Sequence, residues 1–122
     1  VRQFLWHVNG DASQTIIRFG DLRIALESYE VSLRGRPVLL TYKEYQLLVL
    51  LASNPGHVYS RDVLLNHIWG YDYIGGSRTV DVHVRRLRSK LGEGQHPFVE
   101  TIWNVGYRFR PHQERQLRSK EL

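Results

Sequence analysis

Cysteine is absent from these 122 residues, and so is methionine, even at position 1. Without thiols there is no disulfide framework, no zinc–thiolate site and no thiol nucleophile. A chain that lacks an initiating methionine is expected to be a fragment of a longer protein, or a processed one, with a partner domain outside it. No apolar run approaches the roughly 18 residues a membrane helix needs, and no signal-peptide pattern opens the chain. A membrane-free, cytoplasmic protein is the expectation. Internal repeats and low-complexity runs are also missing. Acids are scarce relative to bases, 12 against 17, for a net charge of +5.

What is present is an ordinary globular composition, 42% hydrophobic with 11% aromatics, sufficient for one small domain with a single core. The charge imbalance is local. SRTVDVHVRRLRSKL, residues 77–91, holds Arg78, Arg85, Arg86, Arg88 and Lys90 against one acid, Asp81. That segment therefore carries +4 and leaves only +1 for everything else. A concentrated basic stretch is the electrostatic footprint expected for a polyanion such as nucleic acid.

Residues 1–14 pair a short apolar cluster with a turn-rich stretch and are expected to be a linker or the end of a missing N-terminal domain. The domain proper is expected over 15–110, with a polar tail from 111 to 122. From Thr15 to Leu40, β-branched and alternating residues are interrupted at Gly20-Asp21, Glu27-Ser28 and Gly35, which predicts three or four short antiparallel strands. Thr41 and Glu44 then stand at capping-box spacing, with Leu40 and Tyr45 placed as a hydrophobic staple, before a mostly buried helix that Asn54-Pro55-Gly56 ends. Ser60 caps a second helix to about Trp69, with Leu64, Leu65 and Ile68 inward. Residues 70–76, GYDYIGG, form a loop, and Ser77 is the expected cap of a third helix closed by Gly92-Glu93-Gly94. FVETIWNVGYRFR, 98–110, predicts two strands around a tight turn near Asn104. Sheet, three helices and hairpin in this order predict an α+β fold: a winged helix-turn-helix with an N-terminal antiparallel sheet and a C-terminal β-hairpin wing.

At 100° per residue, Val80, Val84, Leu87 and Leu91 share one narrow sector of the third helix and form its core stripe. Arg78, Val82, Arg86 and Ser89 lie opposite, flanked by Thr79 and His83 on one side and Arg85 on the other. Asp81 is expected to pair with Arg85, four residues on. Cations, short hydroxyls and one exposed Val suit a major groove: Arg86 as a bidentate fork on guanine, Val82 and Thr79 against a thymine methyl, the rest on phosphates. A solvated basic face is the plain alternative. The exposed Val and the four-to-one preference for arginine over lysine argue for recognition.

The run Phe19–Arg110 resembles the effector domain of the OmpR/PhoB family of bacterial response regulators. The matching text is FGDLRIALESYEVSLRGRPVLLTYKEYQLLVLLASNPGHVYSRDVLLNHIWGYD, then SRTVDVHVRRLRSKL, then VETIWNVGYRFR. The resemblance implies a two-component transcriptional regulator that binds double-stranded promoter DNA at direct repeats as a head-to-tail homodimer. It also implies a phosphorylated receiver domain, absent from this chain, that answers to a sensor kinase. Carried onto this sequence, the DNA-contact positions are Arg78, Thr79, Val82, His83, Arg86 and Arg88, and the loop with Tyr71, Asp72 and Tyr73 matches a segment that touches RNA polymerase in activators. One departure stands out. Where many members have an arginine and then a glycine leading into the wing turn, this chain has Trp103 and Asn104. Trp103 is expected to pack under the hairpin, leaving Asn104 to reach a base edge or phosphate.

Other chemistries find no support. The six histidines, at positions 7, 57, 67, 83, 96 and 112, have no short metal-ligand spacing, so no metal or cofactor is expected. Ser60 and Ser77 read as caps rather than nucleophiles, and Gly70, Gly75 and Gly76 do not make a phosphate loop, so no enzyme activity is expected. A winged helix whose basic face binds a protein partner or nonspecific nucleic acid is the alternative function.

Overall fold

The computed structural model describes residues 15–92 and 98–111. The expected linker at 1–14, the tail from 112 onward and the Glu93-Gly94 end of the third helix lie outside the described residues. Four strands come first: β1 (Ile16–Phe19), β2 (Leu22–Ala25), β3 (Glu30–Leu33) and β4 (Arg36–Val38), paired in sequence order as an antiparallel meander. Leu22 faces Leu33 and Ile24 faces Val31 across β2 and β3, while Arg23 points to solvent. This period-two alternation gives the sheet one apolar face. Between β3 and β4 the chain reverses through Arg34 (φ 54°) and Gly35 (φ 79°), two successive left-handed residues of the kind that match strand twist in a tight hairpin.

Helix α1 (Tyr42–Ser53) starts with the expected capping box. Thr41 Oγ1 accepts from Glu44 N at 3.2 Å, and Glu44 Oε1 accepts from Thr41 N at 2.9 Å. Helix α2 (Arg61–Ile68) is capped by Ser60, whose Oγ accepts from Val63 N. At its other end, Lys43 of α1 donates to the Ile68 carbonyl at 2.7 Å, close to the Trp69 ring. A cation at that end complements both the free carbonyls and the helix dipole. Helix α3 (Arg78–Lys90) follows the loop. Ser77 occupies its N-cap position but does not act as expected: its backbone is helical (ψ −8°), and no side-chain bond caps the turn. Only an extended cap residue aims its oxygen at the following amides, and here the Ser77 carbonyl accepts from Val80 N instead.

The C-terminal hairpin is β6 (Val99–Ile102) and β7 (Gly106–Phe109). A strand without any sequence signal, β5 (Tyr59–Ser60), adds to β7, giving the order β5-β7-β6. Gly106 permits this pairing, since a Cβ there would lie 1.9 Å from the Tyr59 carbonyl oxygen. One core joins both sheets to all three helices. Val80, Val84, Leu87 and Leu91 are buried as the periodicity requires, and Phe109 meets Phe19 of β1 (ring centroids 4.8 Å) and stacks on Phe98 (5.7 Å). Among the described residues no helix is long and apolar enough to cross a membrane.

Candidate nucleic-acid interface

Burying the apolar stripe of α3 leaves the opposite face outward, where Arg78, Arg85, Arg86 and Ser89 are exposed. None of the three arginines makes a hydrogen bond or salt bridge within the described residues. The other two cations of the helix are committed. Lys90 Nζ lies 2.7 Å from Oε1 of Glu44, a carboxylate only 1% exposed, so it ties the end of α3 to the start of α1. Arg88 Nε donates to the Val99 carbonyl at 2.9 Å, another of its nitrogens donates to Thr101 Oγ1, and its guanidinium lies over the Tyr107 ring. Arg88 thus fastens the wing to the helix.

Asp81 does not pair with Arg85. Its Oδ1 accepts from Arg61 Nε at 2.8 Å and from the Tyr107 hydroxyl at 2.7 Å, because the start of α2 and strand β7 converge on the first turn of α3. Burial alone would raise this carboxyl. The two hydrogen bonds, with the charges of Arg61 and Arg78, outweigh it and hold Asp81 below the ordinary carboxylate range. Arg85 is released to the outward face. Asp81 and Arg88 are seven residues apart, on one line along the helix. The wing therefore lies along the flank next to Arg85 and Arg78, with its position fixed at two points.

Other expected contact residues fall differently. Thr79 and His83 are half-buried: His83 Nδ1 is 2.9 Å from the Thr79 carbonyl oxygen, and its ring meets Trp69 edge-on at 4.9 Å. They stand at the border between the outward face and α2. Val82 is half-buried rather than exposed; its neighbours three and four residues away are Arg78, Thr79, Arg85 and Arg86, and arginine stems cover apolar surface on a helix face. Trp103 contradicts the expectation of packing under the hairpin, for it is 83% exposed. The underside is already filled by Phe98, Val99 and Phe109, and Trp103 sits beyond the paired strands, in the turn that Val105 N closes onto the Ile102 carbonyl. Asn104 holds the left-handed position of that turn (φ 64°) and is exposed. Between α2 and α3, Tyr71, Asp72 and Tyr73 are exposed, with Tyr73 against Trp69 (6.2 Å) and Ile74 92% exposed.

Tyr107, Arg61 and Glu44 mount helix and wing, a role that no sequence pattern marks. The Thr41–Glu44 spacing revealed the cap but not the Lys90 pairing, and a tyrosine beside a strand glycine gave no sign of a distant carboxylate partner.

A helix-turn-helix whose second helix offers an unpaired arginine face beside an anchored hairpin defines the winged-helix DNA-binding class. Residues 35–109 match the family model described as "Transcriptional regulatory protein, C terminal", and the chain belongs to that family, with the fold of the OmpR/PhoB response-regulator DNA-binding domains. Over 81 residues it is 53% identical to the uncharacterized transcriptional regulatory protein YclJ of Bacillus subtilis, covering 66% of this chain and 36% of that protein. With the heme response regulator HssR of Staphylococcus haemolyticus it shares 42% over 101 residues, 82% of this chain and 45% of that one. The chain thus spans less than half the length of these curated relatives. Among solved structures, the DNA-binding domain of RstA from Klebsiella pneumoniae in complex with the RstA box is 38% identical with a TM-score of 0.73, covering 80% of this chain and 99% of that one. DrrB of Thermotoga maritima, an OmpR/PhoB homolog, is 34% identical with a TM-score of 0.72, covering 78% and 44%.

Proposed function

We infer that this domain reads double-stranded promoter DNA sequence-specifically, with α3 in the major groove. The division of labour among the cations of α3 carries the reading. Arg88 and Lys90 hold the fold together, whereas Arg78, Arg85 and Arg86 are left unpaired on one outward sector. Arg86, on the side of the helix opposite the core stripe, is the base reader, a planar fork suited to guanine. Arg78 and Arg85 meet phosphates. Thr79 and Val82 offer methyl contacts, while His83 at the edge and Asn104 on the wing add polar ones. Arg88 acts chiefly by placing the wing.

In the complete protein, a receiver domain outside this chain answers to a sensor kinase, and two copies bind head to tail on direct repeats in the cytoplasm. The exposed Tyr71-Asp72-Tyr73 loop offers a surface to RNA polymerase. Selection from random duplex DNA with the 122-residue chain tests the reading. The expected product is a direct repeat with half-sites about one helical turn apart. Recovery of no motif, with binding to every duplex that merely falls with salt, would overturn sequence reading in favour of nonspecific attachment.

A further inference from the structure

His83 stands on α3 four residues after Thr79 and three before Arg86, at the border between the outward face and α2. Its Nδ1 is 2.9 Å from the Thr79 carbonyl oxygen. A carbonyl only accepts, so Nδ1 carries a hydrogen and the neutral ring has its lone pair on Nε2. Among the described residues Nε2 makes no hydrogen bond, and the one buried side-chain polar atom without a partner is Gln46 Oε1, so Nε2 opens to solvent. The edge-on contact with Trp69 holds the ring in place. Neutral His83 thus offers a ligand an acceptor and no donor. Only the imidazolium turns Nε2 into a donor.

We propose that His83 engages a backbone phosphate of the bound duplex through Nε2–H, as imidazolium, and that the domain takes up a proton when it binds DNA. The inference rests on the DNA-reading function above and deepens it. At 100° per residue, His83 and Arg85 lie on opposite sides of the sector that carries Arg78, Val82 and Arg86. A helix about 10–12 Å across fills a major groove about 12 Å wide, so each flank meets one wall of phosphates. Phosphate oxygens only accept, and the neutral ring has nothing to give them. The charged groups about the ring are Glu44 and Lys43 of α1, with Arg86 and Lys90 on its own helix, while α2 presents Trp69 and its last carbonyls. Glu44 is already paired with Lys90, and Lys43 with the Ile68 carbonyl, which leaves the phosphate as the acceptor for Nε2. Histidine changes charge between pH 5 and 8, and a phosphate beside it favours the charged form. A proton is therefore gained on binding, and affinity rises as pH falls across that range.

The test measures affinity for a duplex recovered by selection, at pH 6 and pH 8 across a potassium chloride series, with the parent chain, His83→Gln and His83→Lys. Over this range Glu44, Asp81 and Glu100, all held below the ordinary carboxylate value, stay ionised, and Tyr107, raised above its own, stays protonated. The parent is expected to bind roughly tenfold more tightly at pH 6, the ordinary scale for an opposite charge brought beside a titrating group. Its slope of log K against log salt should be steeper there by about one. His83→Gln should bind at both pH values as the parent does at pH 8, and His83→Lys, a cation throughout, should bind alike at both. Convergence of His83→Gln with the parent at pH 8 separates this result from a fold defect, which weakens binding at every pH; His83→Lys then decides alone. Parent affinity that ignores pH overturns the assignment, and so does a tenfold gain that survives in either variant, which gives the proton to another group. Affinity that falls on acidification also overturns it, for the neutral Nε2 then accepts from a base amine. A parent chain that binds no duplex at either pH overturns the DNA-reading function itself, an outcome distinct from a parent that binds alike at both.

Discussion

Tyr107 donates its hydroxyl hydrogen to Oδ1 of Asp81 across 2.7 Å, the same oxygen that receives Arg61 Nε across 2.8 Å. One carboxylate on the first turn of α3 thus holds the wing on one side and α2 on the other. Removing the hydroxyl in Tyr107→Phe leaves Asp81 paired with Arg61 and keeps the ring in place. The expected cost is about 1 kcal/mol in denaturant unfolding, that of one hydrogen bond to a charged acceptor partly open to water. The larger effect is on placement of the wing. DNA affinity should fall while base preference stays as in the parent. A variant with the parent's stability would show that the bond contributes nothing.

Three carboxylates link the elements: Glu44 to Lys90, Asp81 to Arg61 and Tyr107, and Glu100 to Arg108 and Arg110. Burial works to raise each one, yet hydrogen bonds and the facing cations outweigh it and each lies below its ordinary value. A lowered carboxyl contributes stability that is fully present above the unfolded value, near about 4, and is lost as pH falls through the folded one. Thermal melts should therefore show stability declining below about pH 4. Tyr107 has the opposite sense. Burial first, then the Asp81 carboxylate, raise its hydroxyl, so its contribution is lost only as pH rises through a value above the ordinary 10 or so. Lys90→Met removes the cation from buried Glu44, so burial weighs more heavily on that carboxylate; stability should fall near neutral pH, and the decline on acidification should become shallower. An acid limb unmoved by that substitution would mean that Lys90 does not hold the carboxylate.

The legible parts of this fold were those written in local periods. The Thr41–Glu44 box, the Ser60 cap and the Val80–Val84–Leu87–Leu91 stripe all follow from spacings of three and four, and the structure has each of them. What stayed hidden depends on elements distant in sequence. Helical spacing offered Asp81 only Arg85, a partner on its own helix, whereas Arg61 and Tyr107 reach it from 20 and 26 residues away. The resemblance places Arg88 among the DNA-contact positions, and its hydrogen bond to the Val99 carbonyl, 11 residues on, leaves no mark in the helical spacing. Packing under the hairpin is the expectation for Trp103, but a turn residue beyond the last strand pair has no interior to enter. Strand β5 is two residues long, too short for any alternation to register.

That strand makes its own prediction. Gly106 lies against the Tyr59 backbone, and a Cβ would come within 1.9 Å of the Tyr59 oxygen and 2.9 Å of Ser60 Cα. Backbone cannot swing aside as a side chain does, so Gly106→Ala must separate β5 from β7 or distort both. A loss of roughly 3 kcal/mol in denaturant unfolding is expected, at the upper end of overpacking costs. Gly35→Ala supplies the comparison. It meets no atom within 4 Å and suffers only from its left-handed φ of 79°, so about 1 kcal/mol is expected. Equal losses in the two variants would rule out the close approach as the cause.

Arg86 and Arg88 are two residues apart on the same helix, yet they should fail in different ways. Arg86 is exposed and unpaired, so Arg86→Ala should keep the parent's melting temperature, cost roughly 1–3 kcal/mol in specific binding and relax preference at one guanine. Arg88 donates to Val99 and Thr101 and covers Tyr107, so Arg88→Ala should lower the melting temperature and weaken binding on all sequences alike. Arg78→Ala makes the third case, with stability kept, binding weakened on every sequence, and a salt slope shallower by about one. Melting curves with selection in parallel separate the three. If Arg86→Ala retains the parent's full base preference, the reading residue lies elsewhere on the outward face. If Arg88→Ala melts with the parent, the wing is not held by that guanidinium, and Asp81 with Tyr107 must hold it alone.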